Sequence, residues 1–222
     1  MQQIRMLAKD NAYLSIKERV ISGELAPDQV LTEDFLTNLL KISRTPLREG
    51  IQRLEFEEFI YRQPNGRFRV SSISKEHAIE VYQMRGLMEG FIVRNATIKA
   101  TSEDIKQLES IIEKTRLSVL NNDPESIVVY GNEFHNLLYK ISDLQTPTKF
   151  LSMLNDHSLR YRMLISKTGV WYPNTVEEHQ TVVDYMKQRN FEAAEMTIKL
   201  HIEKSLNSLL KKFDQIKIQK KD

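Results

Sequence analysis

The segment Ile42-Ser43-Arg44-Thr45-Pro46-Leu47-Arg48-Glu49 limits what this chain can fold into more than any other. Ser43 and Thr45 open a helix, and Pro46 fits its first turn, where backbone N–H groups have no intrahelical partner. Leu47, Ile51 and Leu54 make an apolar stripe along that helix. Arg44, Arg48 and Gln52, each four apart, make the opposite stripe. The leucines therefore turn inward and leave two arginines, one turn apart, at the outward N-terminal end.

The flanking segments decide the context. A helix over 11–22 carries Tyr13, Ile16, Val20 and Ile21 on one face and stops at Gly23. An extended stretch runs from Pro27 through Leu31, and Thr32 caps a second helix bearing Phe35, Leu36, Leu39 and Leu40. After the arginine helix, Ile60–Arg62 and Arg67–Val70 alternate around Pro64-Asn65-Gly66, a hairpin. Three helices and a hairpin in this order make a winged helix-turn-helix, which inserts a helix N-terminus into the DNA major groove. The arginine fork matches both guanine O6/N7 and phosphate oxygens. Ser43 and Thr45 can bond phosphate, helped by the helix dipole. Arg62, Arg67 and Arg69 charge the wing, and Gly66 lets the backbone approach a groove. The candidate DNA contacts are Ser43, Arg44, Thr45, Arg48, Gln52, Gly66 and Arg67. The plainer reading has Arg44 and Arg48 covering a solvated helix face; the order of the surrounding elements favours DNA.

The rest reads as a second domain. The division is 1–70 for the winged helix, 71–74 for a linker and 75–222 for an all-helical domain, to which the resemblance given below assigns effector binding and dimerisation. Six helices fall near 75–98, 102–120, 124–142, 147–167, 175–188 and 191–214. Their starts are marked by Thr101/Ser102, Asp123, Thr146-Pro147 and Asn174/Thr175, with breaks at Asn121-Asn122, Gly169 and Pro173. The fold class is mainly α: an N-terminal winged helix-turn-helix with a small β-hairpin wing, then an antiparallel bundle of about six helices. Only 7 glycines and 6 prolines in 222 residues agree with that. The formal net charge is +2, so DNA binding must come from local placement of arginines and not from bulk charge. Without cysteine there can be no disulfide or thiolate metal site. No apolar run approaches the roughly 18–20 residues that span a bilayer, and Met1–Asp10 has no apolar signal core, so the expected location is the cytoplasm. The Lys217–Asp222 tail reads as a solvated end.

Three histidines stand out by phase. A residue two positions away lies about 200° round a helix axis. Those positions are charged: Glu133 for His135, Glu177 for His179, Lys199 and Glu203 for His201. Apolar or small residues share their faces (Val128 and Leu138; Val176, Val182 and Val183; Ala194, Ile198 and Ser205), so three helices each aim an imidazole inward. Neutral imidazoles bind divalent ions, and three of them leave a fourth position open. The alternative is three separate core histidines, each satisfied locally, and phase alone does not choose between them. Arg85 sits among Tyr82, Val81, Met88 and Ile92. It reads either as an i,i+4 partner of Glu89 or as a cation for an effector carboxylate, with Tyr82 and Arg162 beside it. Arg160, Tyr161, Lys167, Trp171 and Tyr172 are further pocket candidates.

Residues 12–70 closely resemble the winged helix of the GntR family of bacterial transcription regulators. The resemblance rests on Gly23-Glu24-Leu25-x-Pro27, Leu31-Thr32-Glu33, Leu36, Ser43 through Glu49, Arg53-Leu54-Glu55 and Pro64-Asn65-Gly66. It implies DNA contacts from Ser43, Arg44, Thr45, Arg48 and Gly66. Four positions depart from the usual pattern: Asp28 and Glu58 stand where glycine is usual, Gly50 where alanine is, and Asp34 where a basic residue is frequent. Residues 75–215 resemble the helical ligand-binding domain of the FadR branch, through Met84-Arg85-Gly86-Leu87-Met88-Glu89, Glu133-Phe134-His135, Glu178-His179 and Lys199-Leu200-His201. That resemblance implies a divalent metal, Zn or Ni foremost, on His135, His179 and His201. The usual aspartate ligand is Gly131 here, and Asn132 could offer a weak amide oxygen in its place. The expected function is a DNA-binding regulator, in the repressor sense. It would act as a homodimer on an imperfectly palindromic double-stranded operator, under control of a small organic acid. The competing readings are a metal-dependent enzyme, for which no inward carboxylate stands out as a base, and a pure metal sensor.

Overall fold

The computed structural model describes residues 8–166 and 174–219, and for 214–219 the helical backbone alone. The expected features at Lys167, Gly169, Trp171, Tyr172, Pro173 and the end of the Lys217–Asp222 tail lie outside the described residues or side chains. Internal contacts divide the chain into Met1–Ile73 and Ser74–Asp222.

The first unit runs α1 (Ala8–Ser22), β1 (Val30–Leu31), α2 (Glu33–Leu40), α3 (Arg44–Phe56), β2 (Ile60–Arg62) and β3 (Phe68–Val70). Thr32 caps α2 by accepting from the Phe35 N–H at 3.1 Å. Ser43 is the residue before α3, but its hydroxyl makes no capping bond. The sheet is antiparallel in the order β1-β3-β2, with Leu31 opposite Phe68 and Tyr61 opposite Arg69. The stretch expected only to be extended is therefore a third strand, which ties the wing back to α2. Tyr13, Ile16, Val20, Leu36, Leu47, Ile51, Leu54, Phe59, Phe68 and Val70 close a single core. This is the arrangement the apolar stripe of α3 requires.

Two of the unusual positions carry backbone strain. Asp28 has φ 66° and Glu58 has φ 60°, the left-handed region that favours glycine. Asp28 recovers part of the cost, since its carboxylate accepts a 2.6 Å bond from the Ser72 hydroxyl. Gly50 has the opposite logic. A Cβ there would lie 2.9 Å from the Tyr13 backbone N and 3.1 Å from Ala12 Cβ, because α1 crosses α3 at this point. Alanine improves helix propensity by about 1 kcal/mol, whereas overpacking costs about 1–3 kcal/mol. The obstacle is backbone, so the clash wins. Gly50→Ala should lower the stability of this unit in urea unfolding; equal or higher stability would mean that α1 yields without penalty.

The second unit holds α4 (Lys75–Lys99), α5 (Ser102–Leu120), α6 (Pro124–Ser142), α7 (Gln145–Ser166), α8 (Thr175–Lys187) and α9 (Phe191–Gln219). Ser74, Thr101 and Asp123 cap α4, α5 and α6 through their side chains. Thr101 and Asp104 form a reciprocal capping box. α4 packs along α9 and also meets α6 and α7, while α8 lies on α5 and α9. Ile92, Val93, Leu108, Ile112, Phe134, Leu138, Leu151, Val182, Val183 and Ile198 fill the core. Among the described residues no helix is long and apolar enough to cross a membrane.

Candidate functional site: an arginine face and a buried histidine cluster

On α3 the side chains of Arg44 and Arg48 are 63 % and 59 % exposed, so both are open to a partner. Ser43, Thr45 and Gln52 are exposed too, as are Gly66 and Arg67 at the hairpin turn. Gly66 takes φ 79°, where a side chain would be strained. Both arginines are held by acids from the first turn of α2. Arg44 Nη2 donates to Asp34 at 2.8 Å. Arg48 donates to both carboxylate oxygens of Glu33, from Nε at 2.8 Å and from Nη2 at 3.0 Å. The bond from Arg48 keeps Glu33 below its ordinary pKa. Asp34, which stands where a basic residue is frequent, thus holds Arg44.

The histidines come from three helices: His135 from α6, His179 from α8 and His201 from α9. All three are buried. One ring nitrogen from each falls within 4.8 Å of the others. His179 Nε2 and His201 Nε2 are 3.3 Å apart. The His179 ring stacks on Phe134 at a centroid distance of 4.0 Å, and its Nδ1 has no hydrogen-bond partner among the described residues. Burial pulls His135 down to about 4 and drives His179 well below the ordinary histidine value. Both are therefore neutral near pH 7, the form that ligates metal.

Two carboxylates stand behind the cluster; the sequence reading saw Glu89 only as a partner for Arg85 and gave Glu178 no role there. Glu178 Oε2 lies 2.7 Å from His201 Nδ1. Burial raises Glu178, but its bonds with His201 and Lys204 outweigh that and hold it below its usual range. Glu89 Oε2 lies 2.6 Å from His135 Nδ1, in close contact but without the alignment of a full hydrogen bond. A carboxylate at Nδ1 favours the tautomer that leaves Nε2 free as a ligand. Phase along one helix identifies an inward face but not the acid that another helix places across from it. That is why their place behind the histidines escaped notice.

Arg85 takes the ion-pair arrangement. It is fully buried, donates from Nε to Glu89 Oε1 at 2.9 Å and from Nη1 to the Ser158 hydroxyl, and does not line the histidine cavity. A buried guanidinium needs a counterion, and Glu89 one turn away is that counterion. Tyr82 likewise borders a separate groove with Gly86, Leu87 and Ile202. Asn132 does not line the cavity either; its amide oxygen accepts from Asn155 Nδ2 at 2.6 Å. Arg162 does line it, together with Gly131, Thr175 and Ser205. Tyr161 is turned elsewhere, with its hydroxyl 2.6 Å from His77 Nδ1 in the first turn of α4.

The cavity itself is about 20 Å³, room for one water-sized guest. A larger polar depression of about 310 Å³ shares Thr175 and Ser205 with it and is bordered by Lys204 and Lys211. Nitrogens around a tetrahedral zinc at ordinary Zn–N lengths sit about 3.3–3.4 Å apart, which the His179–His201 pair matches. Three buried histidines, two with acids at Nδ1, are a donor set that fits a divalent ion.

The comparisons with known proteins agree with this architecture. Residues 8–70 match the description "Bacterial regulatory proteins, gntR family", and residues 80–204 match "FCD domain". The uncharacterized HTH-type transcriptional regulator YdhC of Bacillus subtilis is 25 % identical over 191 residues, covering 85 % of each chain. The HTH-type transcriptional repressor RspR of Escherichia coli is 22 % identical over 198 residues, covering 89 % of this chain and 86 % of its own. Among solved structures, E. coli McbR/YncC superposes with a TM-score of 0.82 at 18 % identity, over 94 % of this chain and 99 % of that one, a likeness of fold. The chain is therefore a transcription regulator and not an enzyme, and it belongs to the GntR family, in the FadR branch whose effector-binding part is an FCD domain.

Proposed function

We propose that this protein is a homodimeric repressor, resident in the cytoplasm, that leaves an imperfectly palindromic operator when a small organic acid, seated in the polar depression beside its histidine cavity, reaches that cavity. Its DNA contacts are Ser43, Arg44, Thr45, Arg48, Gln52, Gly66 and Arg67. A divalent ion, Zn or Ni by ligand type, is held by His135, His179 and His201. When bound, such an ion supplies an open coordination position that attracts a carboxylate oxygen. The chain's own residues do the rest. Glu89 and Glu178 orient two imidazoles, Phe134 fixes the third by stacking, and Arg162 presents a cation to the same cavity. The exposed apolar side chains Met84, Leu87 and Phe91 on α4, with Met196 and Leu200 on α9, support pairing of two copies. Two-fold pairing doubles the contact that one reading helix makes.

The observation that carries this reading is the convergence of three buried imidazoles, two of them backed by acids. Protein purified without chelator should contain close to one divalent ion per chain by elemental analysis, and His179→Ala should contain little. Equal content in the two would refute the assignment. In gel shifts with operator DNA, release should need the acid and weaken after chelation. Release by metal alone would instead make the protein a metal sensor.

A further inference from the structure

We infer that in this chain the metal and the acid effector bind interdependently, because Gly131 leaves it to the effector to supply the carboxylate. This rests on the metal reading above. Among the described residues, the cavity wall holds three imidazoles, the Arg162 guanidinium and the hydroxyls of Thr175 and Ser205, but no carboxylate. Two acids act from behind the ligands and also meet cations: Glu89 meets Arg85, and Glu178 meets Lys204. A doubly charged ion held in a buried site by imidazole ligands alone is favoured by an anion at its open position.

Gly131 sets where that anion goes. A Cβ at this position would point between Arg162 Nη1, at 3.7 Å, and His179 Cε1, at 4.0 Å. The space beyond it thus faces both the cation and a ligand. A carboxylate reaching in from the adjoining polar depression would offer one oxygen to the metal and the other to Arg162. The acid then completes the metal site, and the metal completes the acid site. By linkage, each raises the affinity of the other by the same factor.

The experiment titrates metal-free protein with zinc, in acetate and in perchlorate of equal ionic strength, against a competing chelator. Acetate should raise zinc affinity about tenfold, within the usual range of such couplings. Gly131→Asp brings its own carboxylate, and the Cβ contacts are ordinary, so the fold should persist. This variant should bind zinc about tenfold more tightly in perchlorate and respond less than twofold to acetate. Gly131→Asn, of nearly the same shape without charge, should keep the acetate response. Arg162→Met should lose most of the acetate effect. If wild-type protein takes up no zinc in either salt, the metal reading itself fails. If it binds zinc equally in both, the metal reading stands and the interdependence is overturned.

Discussion

Glu89→Ala should destabilise the helical unit by about 3–5 kcal/mol, the usual consequence of orphaning a buried charge. Glu89 is 0 % exposed and Arg85 1 %. Glu89 Oε1 accepts from Arg85 and also from the Tyr139 hydroxyl at 2.9 Å, while Oε2 contacts His135. Burial by itself disfavours the charge on either partner, yet the attraction between them keeps Glu89 far below and Arg85 above their ordinary values. Truncating the acid leaves a guanidinium that water cannot reach. Urea unfolding followed by circular dichroism reads the loss. Replacing both partners with methionine should recover most of it, since an apolar pair of similar volume avoids desolvation altogether. A Glu89→Ala protein within about 1 kcal/mol of wild type would show that the core relaxes to hydrate Arg85, and would remove the pair from the list of structural anchors.

Arg48→Ala should weaken specific operator binding by about 1–3 kcal/mol, roughly 5- to 150-fold, if the guanidinium reads a base. The pairing with Glu33 does not contradict this. An exposed ion pair is worth at most about 1 kcal/mol, less than a base contact provides, so DNA can take Arg48 from Glu33. The acid instead holds the fork extended before contact, which lowers the ordering cost of reading. Gel shifts at fixed salt on an operator selected from random DNA make the measurement. A uniform loss across sequences, with a smaller salt slope, would move Arg48 from base reading to phosphate binding. Unchanged affinity would remove it from the interface.

Much of the architecture was written in local chemistry. Thr101 and Asp123 placed the starts of α5 and α6 where the structure has them, because a side chain that accepts the first free N–H groups acts within four residues. The phase of His135, His179 and His201 gave their burial for the same local reason. What escaped notice was tertiary. β1 is two residues long and exists only because β3 pairs with it. Glu178 belongs to α8 but serves a histidine of α9. The glycine of α3 costs helix propensity, and only the neighbouring α1, whose Tyr13 backbone N lies 2.9 Å from where a Cβ would stand, explains it. Asp28 and Glu58 replace glycines expected from family resemblance, yet the backbone stays left-handed at both. The fold dictates the turn even where the residue resists it.

Tyr161 and Arg162 are neighbours on α7. One reaches the opening turn of α4, just after the chain leaves its first unit at Ile73; the other borders the space beside Gly131. Helix shifts of about 1–2 Å are a common currency of switching. Residues joined by one peptide unit of a helix move together, so a displacement of Arg162 along α7 is carried to Tyr161 and to its contact with His77. From the histidine cavity to the start of α4, the path crosses one peptide unit.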